Sequence, residues 1–160
     1  MAKKKILIDL DVVTIALWNK TGNQFKIADN FINRVKHREF YIINPFFLIE
    51  TVLKWRYEEL KEKIKEFYLS YSDKLLSDTE ISEQILCKGL EPNAILLDII
   101  KIGIKDEDAF LSFSCSLFEL DYLVTFNRKH LKNNNSKINI VLKKYNLNEI
   151  KIVLPNEILA

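Results

Sequence analysis

Short apolar runs alternate along the chain with stretches of helical periodicity, and this alternation limits the fold more than any other feature. The runs are Ile6–Asp9, Phe40–Asn44, Lys74–Asp78, Tyr122–Thr125 and Ile150–Leu154. Each suits a strand covered on both faces and is too short for a buried helix. Between them the spacing predicts helices. Thr14–Trp18 reads as a first turn or two, and Asn30–His37 as a helix capped by Asp29. Asn44-Pro45 reads as N-cap and first helical residue of a long helix whose Ile49, Leu53, Leu60, Ile64, Phe67 and Tyr71 share one face. The charges on its other side (Lys54, Glu58, Glu59, Lys61, Glu62, Lys65) read as a solvated face with ion pairs worth about 0.2–0.5 kcal/mol each. Ser77-Asp-Thr-Glu80 resembles a capping box opening a helix to about Lys88, with Gly89 as its stop. Pro92 starts a helix that Gly103 ends, Asp106–Leu120 is nearly all apolar after its first turn, and Lys137–Tyr145 reads as the last helix. Strands alternating with helices predict a parallel sheet with helices on both faces.

Bulk composition narrows the function. A chain of 160 residues, 48% hydrophobic and 29% charged, suits one soluble domain. Three Gly and three Pro argue against disorder and against Gly-rich phosphate loops, which weakens a nucleotide-binding reading. A net charge of +2 does not announce nucleic acid, although a local basic patch remains open. Cys87 and Cys115 lack metal-ligand spacing and read as buried, reduced thiols of a cytosolic protein. His37 and His130 form no zinc-spacing pair. The start "MAKKKILIDLDVV" has too short an apolar stretch for a signal peptide, and no segment approaches a membrane span.

Several acids stand where such a fold has little use for them. Asp9 ends the first strand. Glu50 has Phe46, Phe47 and Leu53 as helical neighbours, which predicts that it faces inward. Asp108 lies in the first turn of an otherwise apolar helix, and Thr125 and Asn127 close and follow the fourth strand. In parallel α/β sheets the ligand crevice lies beyond the carboxyl ends of the strands. That rule gathers Asp9, Glu50, Asp108 and Asn127 around one crevice. Crowded carboxylates in apolar surroundings are costly and raise one another's pKa. A divalent cation relieves both problems, and oxygen ligands favour Mg²⁺ or Mn²⁺. The chemistry that follows is phosphodiester hydrolysis by a metal-activated water. Each residue also has a plainer use. Asp9 can simply enter a turn, Glu50 can pair with a buried cation, and Asp11 can cap or form an Asx turn instead of supporting the site. Asp106 can be the N-cap of its helix, and Asn127 a turn residue.

The ordered segments "LIDLDVV", "FLIETVL", "DEDAFLSFSC", "DYLVTFNRKHL" and "IKIVLPNEIL" resemble the PIN-domain family over nearly the whole chain. The resemblance implies a three-layer α/β/α sandwich with a central, mainly parallel sheet of four to five strands, and residues 1–160 as a single PIN-like domain. It implies Asp9, Glu50 and Asp108 as metal-binding and catalytic acids, with Thr125 supporting them; Asp11 is a supporting candidate from its position alone. Asn127 stands where the family often has a fourth acid and offers a neutral oxygen; Asp106 is a candidate to compensate. The implied activity is a Mg²⁺- or Mn²⁺-dependent, cytoplasmic ribonuclease acting on single-stranded RNA or RNA loops. Many small members are VapC-type toxins with an antitoxin partner, often dimeric. Arg128 and Lys129, with His130, adjoin Asn127 and are candidates for RNA-backbone contacts, or else a solvated basic turn. The competing reading is a non-catalytic RNA-binding or scaffold protein with a degenerate metal site. A receiver-like phosphotransfer module wants an Asp after the third strand and a Lys after the fifth, a set that "LLSDTE" and the Pro155 region do not supply convincingly.

Overall fold

The computed structural model describes residues 2–18 and 20–158. Five strands form one sheet: β1 (Lys5–Ile8), β2 (Tyr41–Pro45), β3 (Lys74–Leu76), β4 (Tyr122–Val124) and β5 (Ile152–Val153). Their order is β3-β2-β1-β4-β5 and every neighbouring pair is parallel. Helices α1 (Leu10–Trp18) and α2 (Asn23–Lys36) join β1 to β2, and α3 (Phe47–Leu53) and α4 (Glu58–Tyr71) join β2 to β3. Helices α5 (Asp78–Cys87), α6 (Pro92–Ile100) and α7 (Asp106–Leu117) lead to β4, and α8 (Asn135–Lys144) leads to β5. Helices α1 to α4 pack among themselves, as do α5 to α8, which gives a helical layer on each side of the sheet. The three-layer α/β/α architecture expected from the alternation is the observed one, with five strands, all parallel.

The central strand explains this arrangement. Ile6, Leu7 and Ile8 are all fully buried, so β1 is covered on both faces. From β1 the chain steps outward through β2 to β3, then returns to place β4 on the other side of β1. The point where the direction reverses, between the carboxyl ends of β1 and β4, is where open α/β sheets bind ligands.

At that point β1 loses its backbone partner on one side. Its register with β2 covers only Lys5↔Tyr41 and Ile6↔Ile42, after which β2 pairs with β3. Two buried side chains take over. The Ile8 N–H donates to Asn44 Oδ1 at 2.9 Å, and the Tyr68 hydroxyl donates to the Ile8 carbonyl at 2.9 Å. Asn44 Nδ2 in turn donates to Ser72 Oγ at 2.9 Å. These bonds keep the last strand residue before Asp9 fully satisfied away from water.

The local signals at Asn44-Pro45 therefore mislead. Both residues belong to β2 and pair with Leu75 and Leu76, and α3 starts only at Phe47. The expected long helix is two helices, broken at residues 54–57; Leu53 is 45% exposed, while Leu60, Ile64 and Phe67 are buried. Helix α2 starts at Asn23 after Gly22, whose φ of 91° ends the preceding segment, and Asp29 lies inside the helix, not at its cap. Helix α1 begins at Leu10, four residues before the expected turn. Helix α7 ends at Leu117 and its N-cap is Lys105, so Asp106 is the first helical residue and not the cap. Helix α8 starts at Asn135, and a 3₁₀ turn, Lys132–Asn134, precedes it. Ser77 does cap α5, accepting from the Glu80 N–H at 3.1 Å. The solvated charges on α4 pair as expected: Lys61–Glu58, Lys63–Glu59 and Lys65–Glu62. Cys115 is buried and free, whereas Cys87 is exposed, against expectation.

Asn44→Ala leaves the Ile8 N–H and the Ser72 hydroxyl without their partner in a buried place. The expected loss is about 1–3 kcal/mol in urea unfolding, with the fold retained. A loss below about 0.5 kcal/mol would show that the amide does not hold the strand end.

Candidate active site

Four side chains from three separate parts of the chain form one hydrogen-bonded line at the switch point. The Asp9 N–H still donates to the Val124 carbonyl at 2.9 Å, so the residue stays tied to β4 as the chain leaves the sheet. Its Oδ1 accepts from the Leu10 N–H at 2.8 Å, and its Oδ2 accepts from the Thr125 hydroxyl at 2.8 Å. The same Thr125 oxygen accepts from the Asn127 N–H at 3.0 Å. Asn127 Nδ2 then donates to Asp108 Oδ2 at 3.1 Å, and Asn127 Oδ1 accepts from the His130 N–H at 3.0 Å. Asp11, in the first turn of α1, accepts from the Phe126 N–H at 3.1 Å and stands 3.3 Å from Thr125 Oγ1. Asp108 sits in the first turn of α7, where the helix dipole favours an anion. That helix buries Ala109 and every residue from Leu111 to Leu117, which fixes the direction in which Asp108 points.

The carboxylates are held under electrostatic stress. Burial pushes the Asp9 carboxyl up to about 8; the charges of Asp11 and Asp108 add to the rise, and the Thr125 and Leu10 hydrogen bonds oppose it. Asp11 is pushed up to about 6, chiefly by burial, against the bonds from Phe126 and Thr125. Asp108 is raised by burial, with His130, Lys105 and Asn127 counteracting and Glu107 reinforcing. Beneath them the fully buried Tyr68 hydroxyl is raised by burial and by the charges of Asp9 and Asp11.

Asp9, Asp11, Asp108 and Asn127 all line one cavity of about 510 Å³, open to solvent. Thr125 is fully buried behind them. The structure thus brings together the strand-end acid, the helix-start acid and the residues after β4 that the sequence singled out. Glu50 is the correction. It is exposed and is not among the residues lining this cavity. Its expected apolar neighbours Phe46 and Leu53 are themselves 38% and 45% exposed; the buried side of α3 is Leu48, Ile49 and Val52. Asp106 also lies outside the lining, and Arg128 and Lys129 are exposed on the turn after Asn127. Thr14, Thr51, Trp55, Lys105 and Glu107 line the cavity without having been singled out. Lys105 precedes the Asp106–Asp108 start of α7 and Glu107 lies inside it, so both were legible there; Thr51 and Trp55 carried no chemical signal.

The residues bear on which metal could sit here. Among the described residues, no three Asp, Glu, His or Cys side chains converge closely enough to hold an ion by themselves. The donors that are present, carboxylate, amide and hydroxyl oxygens, are hard, and the stressed carboxylates face a cavity with room for water. Mg²⁺ commonly takes one or two carboxylates and keeps several waters. The site therefore fits a partly hydrated Mg²⁺ or Mn²⁺ and does not fit a closed structural zinc cage.

No family model and no curated protein matches this chain. Among solved structures it is similar to a chain in the crystal structure of VapBC2 from Rickettsia felis bound to a DNA fragment from its promoter. The superposition has a TM-score of 0.58 at 12% identity and covers 94% of this chain and 98% of that one. At that identity the likeness is one of fold, and the five-stranded parallel sheet between helical layers is consistent with the PIN-like architecture expected from the sequence. No helix among the described residues is long and apolar enough to cross a membrane.

The raised Asp9 carboxyl has a thermodynamic consequence. Between its ordinary value of 3.8 and about 8 the folded state holds a proton that the unfolded chain releases, so stability falls as pH rises through that window. In chelator-treated protein, Asp9→Asn is expected to flatten this decline and raise the melting temperature at pH 8.5 by about 2–8 °C, the equivalent of about 1–2 kcal/mol. Parallel pH–stability curves for wild type and variant would contradict it.

Proposed function

We propose that the chain is a divalent-metal-dependent nuclease that hydrolyses RNA phosphodiester bonds. The observation that carries the reading is that Asp9, Asp11 and Asp108, each with a raised pKa, line one cavity at the switch point of a parallel sheet. Structural stability has no use for three such charges, whereas binding a cation does. Asp9 and Asp108 would hold the ion, with Asp11 and Asn127 beside them. When bound, Mg²⁺ or Mn²⁺ supplies an acidified water and offsets charge on the phosphate. The chain's own residues do the positioning. Thr125 fixes Asp9 through its hydroxyl, and Asn127 fixes Asp108 through its amide. Lys105, on the cavity wall, offers a positive charge to a substrate phosphate, and Arg128 and Lys129 carry further positive charge on the neighbouring turn. Glu50 is exposed one residue before the lining Thr51 and enters the proposal as an acid at the rim.

The fold likeness to a VapBC2 chain supports a finer version: a VapC-like toxin of the cytoplasm, with an antitoxin protein as partner and a homodimer as its working form. A second reading, a non-catalytic RNA-binding protein of the same fold, draws on two features: Glu50 turns to solvent, and Asn127 is a neutral amide where the resemblance implies an acid.

A cleavage assay on single-stranded RNA separates the two. Mn²⁺-dependent cleavage is expected in the wild type and is expected to fall about a hundredfold or more in Asp108→Asn, a loss of about 2.7 kcal/mol of transition-state stabilisation. Circular dichroism should be unchanged, because Asp108 lies at a helix start. Glu50→Gln tests the rim acid: unchanged cleavage removes it from the site. Equal activity in wild type and Asp108→Asn would overturn the assignment, and absence of cleavage in the wild type would favour the non-catalytic reading.

A further inference from the structure

Beside the acidic cavity lies an aromatic ledge that the nuclease reading leaves unused. Trp18, at the end of α1, is 50% exposed, and Tyr57, at the joint between α3 and α4, is 68% exposed. Their rings lie 6.2 Å apart, tilted by 41°. Contiguous exposed apolar surface is a common feature of recognition sites. The ledge adjoins the cavity through α1 and through the α3–α4 joint. Thr14 and Ile15, one turn before Trp18, line the cavity, and so does Trp55, two residues before Tyr57.

Charge distinguishes this joint from the neighbouring surface. Lys54 and Arg56 alternate with Trp55 and Tyr57 along the chain, and both are exposed. On α4 the lysines at 61, 63 and 65 each hold a glutamate. Lys54 and Arg56 hold none among the described residues. With a net charge of only +2, the chain exerts little general attraction on a polyanion, so uncommitted cations beside open rings carry particular weight.

We infer that this ledge is a base-stacking subsite for a single-stranded nucleic acid whose phosphodiester lies in the acidic cavity. The inference rests on the nuclease reading for the second half of that statement. Aromatic faces accept any unpaired base, and adjacent cations follow the backbone. Bases already stacked in a duplex cannot reach such a surface, so the ledge selects for unpaired strands.

Anisotropy of a fluorescein-labelled single-stranded RNA, measured with the full chain in chelator to prevent cleavage, tests it. Trp18→Ala and Tyr57→Ala should each weaken binding about tenfold, the scale of losing one stacked base, while Trp18→Phe keeps most of the affinity. Arg56→Glu should weaken binding and reduce its salt dependence. The same RNA annealed to its complement should bind less tightly than the single strand. Wild-type affinity in both alanine variants, or no binding by the wild type, overturns the ledge. So does a change in oligomeric state in Trp18→Ala with RNA affinity unchanged, which assigns the patch to a second copy of the chain or another protein. Failure of the two ideas is separable. Ledge-dependent binding without Mn²⁺-dependent cleavage sinks the nuclease reading alone, and cleavage whose KM ignores Trp18→Ala sinks the ledge alone.

Discussion

The hydrogen bond from the Thr125 hydroxyl to Asp9 ties together the ends of two parallel strands, and the site depends on it. Backbone pairing brings β1 and β4 side by side, but it stops where the chain turns into α1 and into the loop after β4. Beyond that limit side chains must hold the geometry. Thr125 reaches Asp9 and receives the Asn127 N–H, and Asn127 reaches Asp108 on α7. On the far side of β1, Asn44 and Tyr68 satisfy the Ile8 backbone. The strand end is thus clamped from both sides, which keeps an awkward carboxylate from relaxing into solvent.

That clamp has an energetic cost that folding alone does not explain. Burial and mutual repulsion push Asp9 and Asp11 upward, and they act even on Tyr68 beneath. A chain selected only for stability has no reason to keep both of these acids. A cation in the cavity turns the same arrangement from a liability into a binding site.

Much of this was legible in the sequence, for reasons that can be named. Asp9 stood out because three aliphatic residues precede it, and β1 is indeed buried on both faces. Asp108 stood out because α7 has no polar face to excuse it. Thr125 and Asn127 followed from the rule that sites gather at strand ends. Glu50 was misdirected because helix phase was read from Phe46, Phe47 and Leu53, whereas Phe46 and Leu53 are exposed and the core side of α3 is Leu48, Ile49 and Val52. Asn44 misled more instructively. Its local preference is to cap a helix before Pro45, yet the gap between β1 and β2 claims its amide, a tertiary demand with no local signature. The break at residues 54–57 was invisible because residues on both sides of it keep helical spacing.

Direct titration with Mn²⁺, following the signal of the free ion by electron paramagnetic resonance, tests the central claim most simply. The account predicts binding by the wild type near neutral pH and affinity at least about tenfold weaker in both Asp9→Asn and Asp108→Asn, as for loss of a charged ligand. Equal Mn²⁺ affinity in the wild type and both variants would contradict it, because the ion would then sit somewhere other than between these strands.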